Sequence, residues 1–436
     1  MKSKISIFAL SFATVCMMSS CLGDKDDTEV VTYDDAAITG LKLGTLYRDT
    51  ISKSGNDTIV TYDASGCVFQ IDQYSGTITN APDSLPVGTH LSKIAFTSIN
   101  TANNGIVCVK SLTSDDFETN DTIDFSQPRE FYVYSSSEQY SKKYTVTIVA
   151  HNEVADTIIW NKIDIDNDIK NYTSVKTGIC NNNLVVLGKT ASGTEFKTLV
   201  DGSLKKTRSF SANATMTTDG NTIYVTDGGI IYSSSDAKNW NTVSADVKSV
   251  IGVCDKEMFA LSKANKLMMS LDHGVSWKNE DIDDDAKYIP SSDINFVSTA
   301  TDSNADIKRA FVIGNSSANA KKAEVWSKII EENTEKDQSW VYQNFNESNE
   351  YYLSRLSNLC VAAYDNNLLA IGGECDKLYY SKDCGICWKE DKNIKLPKDF
   401  SASAASIAVD NDYFIWIVCT GSGQVWKGRL NKLGWK

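Results

Sequence analysis

Arginine and histidine are scarce in this chain, with six arginines and three histidines in 436 residues. Against them stand 56 acidic residues, and the formal net charge is −13. Phosphate backbones and anionic lipid headgroups are bound by clustered cations, so this balance argues against nucleic-acid and lipid-surface partners. His90, His151 and His273 are too few and too scattered in sequence to suggest a Ser–His–Asp triad or a histidine zinc site. Tryptophan is missing before Trp160, although nine follow from there on. Beyond the first twenty or so residues, no run is long and apolar enough to span a bilayer as a helix.

What is present begins at the N-terminus. Lys2 and Lys4 precede a mostly apolar run from Ile5 to Met17, too short for a membrane helix and suited to a secretory leader. Met18-Ser19-Ser20-Cys21 follows, then the acidic Asp24-Lys25-Asp26-Asp27. This junction resembles a bacterial lipobox, and the acidic stretch resembles the surface-export signal of Bacteroidetes lipoproteins. The resemblance implies a leader over 1–20, acylation of Cys21, a tether over 21–32 and an outer-membrane address facing the cell exterior. Several acyl chains on one residue would hold such a protein stably. An ordinary cleaved leader with an incidental Cys21 is the plainer alternative. Loss of Lys2 and Lys4 would take the net charge from −13 to −15.

Of the eleven cysteines, nine remain after Cys16 and Cys21 are set aside. An odd number cannot all pair internally. Cys180, Cys254, Cys360 and Cys419 lie in or beside apolar runs and read as small buried hydrophobes. Cys67 and Cys108 are either free or a bridge between two strands of one domain.

The composition step at Trp160 predicts a boundary near 152–156. Ahead of it, Val68–Asp72, Gly76–Thr79, Ile94–Phe96, Ile106–Val109, Phe131–Tyr134 and Tyr144–Ala150 read as short strands separated by polar turns. That spacing suits a β-sandwich. Phe69-Gln-Ile-Asp72, Gly76-Thr-Ile78, Leu85-Pro-Val-Gly-Thr-His-Leu91 and Lys143-Tyr-Thr-Val-Thr-Ile148 resemble bacterial immunoglobulin-like domains of Bacteroidetes surface lipoproteins. An immunoglobulin-like β-sandwich is therefore expected over 33–151.

The second half repeats itself. Ser270-Leu-Asp272-His-Gly274-Val-Ser-Trp277 and Ser381-Lys-Asp383-Cys-Gly385-Ile-Cys-Trp388 share the pattern Ser-x-Asp-x-Gly-x-x-Trp, and Ser234-Ser-Asp236-Ala-Lys-Asn-Trp240 is a shortened version. The chemistry is that of a hairpin. Ser and Asp oxygens accept turn N–H groups, glycine permits positive φ, and tryptophan opens the next strand with a large ring to bury. The pattern resembles the Asp-box of sialidase-type and related β-propellers. Trp240, Trp277, Trp340, Trp388 and Trp435 lie 37, 63, 48 and 47 residues apart, and Trp160 to Trp240 is 80. Spacings near 40–50 suit four-stranded blades. The 80-residue gap holds two blades, with a tryptophan-free outer strand near Lys205 to Phe210. We expect an all-β chain with a propeller over 155–436, six-bladed or alternatively seven-bladed, its last blade completed by the strand Thr157–Ile163. Ala320 to Lys336, rich in charge, reads as a loop or short insertion.

Sialidase chemistry needs an arginine triad, a Tyr–Glu nucleophile pair and an acid/base aspartate. Only Arg208, Arg309, Arg355 and Arg429 lie in the propeller half, and the Phe-Arg-Ile-Pro-type segment is absent. No acidic residue stands out as a catalytic group. Cys384-x-x-Cys387 lies inside a repeat turn without a second such pair, so thiols or a local bridge are expected there rather than redox catalysis. Asp164-x-Asp166-x-Asp168 and Asp281-x-Asp283-x-Asp285 lack the glycine and glutamate of a calcium loop and read as solvated charge. No cofactor or metal is expected. Asp-Thr-Ile recurs at Thr50, Thr58, Thr122 and Thr157, and Asp83-Ser84-Leu85 is similar; these resemble O-glycosylation acceptors of exported Bacteroidetes proteins. The expected role is a non-catalytic binding module that takes a glycan or protein partner on the propeller face. The alternatives are a sialidase-like hydrolase and a structural subunit of a surface uptake complex.

Overall fold

The computed structural model describes residues 31–434 apart from 53–54, 82, 119, 302, 332–337 and 345–348. The leader, Cys21, nearly all of the tether and Trp435 thus lie outside the described residues. Two compact units divide the chain, one reaching Val154 and the other starting at Ala155.

In the first unit a five-stranded sheet runs Gln70–Asp72, Thr77–Thr79, Ser141–Thr147, Arg129–Tyr134, Ile106–Val109 in spatial order. Its parallel pair is Thr77–Thr79 with Ser141–Thr147; the other pairs are antiparallel. Burial alternates along Arg129–Tyr134, which turns Phe131 and Val133 into the core as a period-2 strand must. Ile38–Leu43 pairs with Phe96–Thr101 and adds Ile38 and Leu43 to the same core. A further hairpin, Thr45–Ile51 with Asp57–Asp63, was not readable from the sequence. Cys67 and Cys108 are both free thiols, as are the other seven described cysteines, so the bridge considered between them is not present.

Among the described residues the second unit holds six sheets, five of four strands and one of three. The first is Ser174–Cys180, Asn183–Lys189, Thr194–Val200 and Ser203–Phe210. Next come Thr215–Thr218, Ile223–Asp227, Ile230–Ser234 and Asn241–Ser244. The third contains Ser249–Cys254, Glu257–Leu261, Leu267–Ser270 and Lys278–Asn279. Ser292–Thr301, Asn304–Asn315, Glu324–Ile330 and Val341–Tyr342 build the fourth. The fifth has Cys360–Tyr364, Asn367–Ile371 and Tyr379–Ser381. Ala405–Val409, Ile415–Cys419 and Gln424–Leu430 make the sixth, whose outer strand is Ile158–Ile165 from the start of the unit.

Each sheet's first strand contacts the first strand of the next, and Ala405–Val409 also contacts Ser174–Cys180. Six separate apolar clusters fill the six junctions between neighbouring sheets. The junction of the sixth and first sheets is one of them, with Trp416 and Val418 against Ile179, Leu184 and Val186. Ala320 to Lys336, expected as a loop or short insertion, is in part a strand, and its residues 332–336 lie outside the described residues. Glu324–Ile330 within it is a paired strand, and the surplus residues of the 63-residue interval go into the long hairpin Ser292–Thr301 and Asn304–Asn315. The charges that disguised the strand point inward to partners. Glu324 accepts from Ser316 at 2.8 Å and from Tyr342 at 2.6 Å, and Lys328 lies 2.5 Å from Glu280.

Candidate binding face

Two of the three repeat turns join the third strand of their sheet to the fourth, and the one in the fifth sheet follows its third strand, Tyr379–Ser381. At the first complete one, Ser270 Oγ donates to Asp272 Oδ1 (2.7 Å) and accepts from Gly274 N (2.8 Å). Asp272 Oδ1 accepts Ser276 N at 2.8 Å, and Trp277 Nε1 donates to Gly274 O at 3.0 Å. Ser381, Asp383, Gly385 and Trp388 repeat this set: 2.9 Å from Ser381 Oγ to Asp383, 2.9 Å from Gly385 N to Ser381 Oγ, 2.8 Å from Cys387 N to Asp383, and 2.9 Å from Trp388 Nε1 to Gly385 O. In the shortened turn Ser234 Oγ donates to Asp236 at 3.1 Å, and Asp236 Oδ1 accepts Lys238 N and Asn239 N, each at 2.8 Å. The hydrogen bonds of Ser276 and Ser270 hold the Asp272 carboxyl down to about 2. Those of Asn239 and Lys238 hold Asp236 lower than the usual carboxylate range.

These turns also fasten sheets together. Trp240, Trp277 and Trp388 each pack in the cluster shared with the preceding sheet. Gly274 sits at φ +90, and a Cβ there would meet Ile231 of the preceding sheet at 2.8 Å. Gly385, at φ +88, has Val325 of the preceding sheet in the same position at 3.2 Å. Trp340 fills the corresponding junction of the third and fourth sheets without the motif, and Trp160 does so between the fifth and sixth. In the first sheet Leu204 occupies that place. Cys384, at φ +58, and Cys387 are free thiols within a turn.

Five of the six aspartates in the two runs, expected as solvated charge, have protein partners. Asp166 and Asp168 grip the buried Lys197 ammonium at 2.7 and 2.8 Å, and Asp164 accepts Leu204 N at 3.2 Å. Burial alone would push Lys197 down; its two carboxylate hydrogen bonds outweigh this and hold it above the usual lysine range. Asp283 accepts Tyr342 N at 2.7 Å, and Asp285 caps Lys287 N at 2.9 Å. Among the described residues no cluster of three His, Cys, Asp or Glu side chains is arranged to hold a metal.

The four arginines do not converge. Arg208 lies over Phe210, Tyr232 and Trp240; Arg355 donates to Ser316 O and Asn319 O; Arg429 donates to Asp412 O. Arg309 stands in the strand Asn304–Asn315. Along the first strands of the six sheets, the charged residues are Lys176 and Asp293.

In an antiparallel sheet, the loop between the second and third strands and the connection to the next sheet lie at the end opposite the repeat turns. At that end the fifth sheet opens a cleft of about 520 Å³. One wall is Glu374 to Leu378, the other runs from Ile394 to Ala402. Leu378 and Ile394 are buried in the floor, with Leu396, Phe400 and Ala402 partly exposed beside them. Nothing in the sequence singled out this place.

Of the glycosylation candidates, Thr122 and Thr157 are exposed, whereas Thr50 and Thr58 are half-buried and stand opposite one another in the hairpin.

Radial sheets built in chain order, with the first strand of the unit completing the last sheet, define this part of the molecule as a β-propeller. The chain belongs to the DUF6242 family: residues 154–436 match its β-propeller domain and residues 41–148 its N-terminal domain of unknown function. No curated protein matches the chain. Among solved structures it is similar to a protein of unknown function from Bacteroides thetaiotaomicron VPI-5482, at 10% identity and TM-score 0.41, over 77% of this chain and 93% of that one. It is also similar to one from Dyadobacter fermentans DSM 18053 (12% identity, TM-score 0.38, 62% of this chain and 98% of that one). A third is YCF48 from Cyanidioschyzon merolae (12% identity, TM-score 0.34, 62% and 99%).

Proposed function

We propose that the chain is a surface-facing outer-membrane lipoprotein that binds a glycan or protein partner without catalysis. Cys21 carries the lipid, an immunoglobulin-like sandwich acts as the spacer, and a six-bladed propeller presents its loop face. The ring contacts of the six first strands and the six apolar junctions favour six blades over seven. Hydrogen bonding in the three Ser-x-Asp turns supports their reading as Asp-boxes, which leaves them a stapling role on the side away from the partner.

The observation that carries the binding reading is the open cleft on the loop end of the fifth sheet; on the first strands of the six sheets the charged side chains are one lysine and one aspartate. A glycosidase requires two carboxyl groups facing across a bond to be cleaved, and a sialidase adds converging arginines. Here Asp293 has no carboxylate opposite it on those strands, and Arg208, Arg309, Arg355 and Arg429 stand apart.

The test is an array of host and plant glycans probed with the mature chain, with retained protein and released sugar read together. Retention without release is the expected result if the partner is a glycan. Sugar release would overturn the non-catalytic reading. Metabolic labelling with a fatty acid tests the anchor, since Cys21→Ser should abolish incorporation. Glycan mapping by mass spectrometry would find occupancy first at the exposed Thr122 and Thr157.

A further inference from the structure

The fifth sheet differs from the other five at its outer edge. A fourth strand of at least two residues closes each of the others. Here the outer place is held by one bridge, in which Tyr380 N donates to Lys389 O (2.8 Å) and Lys389 N to Tyr380 O (3.1 Å). Beyond Glu390 the chain leaves the sheet and has no strand until Ala405. A continuing antiparallel strand would have run alongside Leu378 and Asp376, because each residue gained after Lys389 pairs with one residue earlier than Tyr380. Those two residues form one wall of the 520 Å³ cleft, so the cleft occupies the place of the missing strand.

Its walls carry opposite charge. Glu374 and Asp376 are exposed on the sheet side, and Lys395 and Lys398 are exposed on the side of the departing segment. Lys377 and Glu390 pair across one end at 3.6 Å. Between the walls Leu396 and Phe400 are partly exposed over the buried Leu378 and Ile394, a small apolar floor in a mostly polar cleft. The departing segment is held back from the sheet, since Lys395 O accepts Trp160 Nε1 at 2.8 Å and Phe400 N donates to Pro397 O at 3.1 Å.

We infer that this cleft takes an extended peptide segment of a partner protein, which adds to the fifth sheet as its absent outer strand. An extended segment supplies backbone hydrogen bonds to a sheet edge and drops alternate side chains into pockets. The apolar floor takes one aliphatic or aromatic side chain of the segment. A cationic residue of the segment faces Glu374 and Asp376, and an anionic residue faces Lys395 and Lys398. The cleft volume lies within the range of about 300–1,000 Å³ common to small-ligand sites, enough for a few residues and too small for a folded domain. This inference rests on the binding reading above and narrows the partner to a protein.

The experiment is selection of a displayed random dodecapeptide library on the whole chain, followed by affinity measurement of the enriched peptides. Enriched peptides should pair an apolar residue with flanking charges of both signs. Lys395→Glu with Lys398→Glu, at two exposed positions, should weaken them at least 10-fold and shift a repeated selection toward peptides with added basic residues. Ala402→Trp, which fills the cleft, should weaken all of them to a similar degree. Peptides that bind equally well to both variants would overturn the assignment to this cleft and leave the module a binder elsewhere. No enriched peptide, together with glycan retention on the array, would overturn the peptide inference alone. Failure of both assays would remove the binding reading as well.

Discussion

Lys176 Nζ lies 2.6 Å from Asn295 Oδ1, although the two residues belong to the first strands of the first and fourth sheets. The lysine therefore crosses the axial space. Asn295 is the more committed partner: it is buried, accepts Val361 N at 3.2 Å, and donates to Asp293 O at 2.8 Å and Leu359 O at 2.9 Å. Each buried group left without its partner costs about 1–3 kcal/mol. Asn295→Ala is expected to destabilise the propeller by at least about 2 kcal/mol, and Lys176→Met by no more than about 1 kcal/mol. Urea unfolding followed by tryptophan fluorescence checks this, because every tryptophan lies in the second unit and the signal ignores the first.

Lys197→Met removes the cation from a buried aspartate. The Asp166 side chain is 8% exposed and would keep an uncompensated charge, a loss of about 3–5 kcal/mol for a buried pair. Asp168 is 69% exposed, and Asp168→Asn should cost about 1 kcal/mol or less. The same fluorescence transition should separate the two variants clearly. Equal midpoints would show that Asp166 does not depend on Lys197.

Gly274→Ala and Gly385→Ala both force an L-residue into a positive-φ position, at a cost of about 1–3 kcal/mol. Gly274→Ala should cost more, because its added carbon approaches Ile231 to 2.8 Å while that of Gly385 meets Val325 at 3.2 Å. Thermal unfolding of the two variants gives the order, and the reverse order would contradict the packing described.

Asp272 gives a pH signature. Its folded value, about 2, lies below that of an unfolded aspartate. The stabilisation it brings is therefore complete above about pH 4 and is lost as pH falls toward 2. Carboxyl NMR should show Asp272 titrating near 2 in the intact chain and at a higher value in Ser276→Ala, where the leading hydrogen bond is gone.

The tryptophan spacing made the propeller legible because one large ring packs at nearly every junction between sheets. Trp240, Trp277 and Trp388 mark their turns, and the gap before Trp240 does conceal an outer strand, Ser203–Phe210, in which Leu204 takes the ring's place. Buried ion pairs were invisible because they depend on distance in space. Lys197 is 29 residues from Asp168 in sequence, and Lys328 is 48 from Glu280. The same pairs hid Glu324–Ile330, in which burial alternates from Trp326 to Ile330 but hydropathy does not. In the first unit, Thr45–Ile51 and Asp57–Asp63 escaped notice because Ile51, Ile59 and Val60 stay exposed and no apolar alternation develops. The cleft has no sequence signal, since it arises where a strand fails to continue.

The pairing of Ile158 with Leu430 joins positions 272 residues apart. Loop closure over such a separation comes late in folding, and non-local pairings slow it. A ribosome or export channel delivering this chain would release five sheets before the sixth could acquire its outer strand. Throughout that interval Ile158–Ile165 waits with its edge open, so a holdase that covers extended apolar strands would meet the nascent molecule there, and its dissociation would time the final closure.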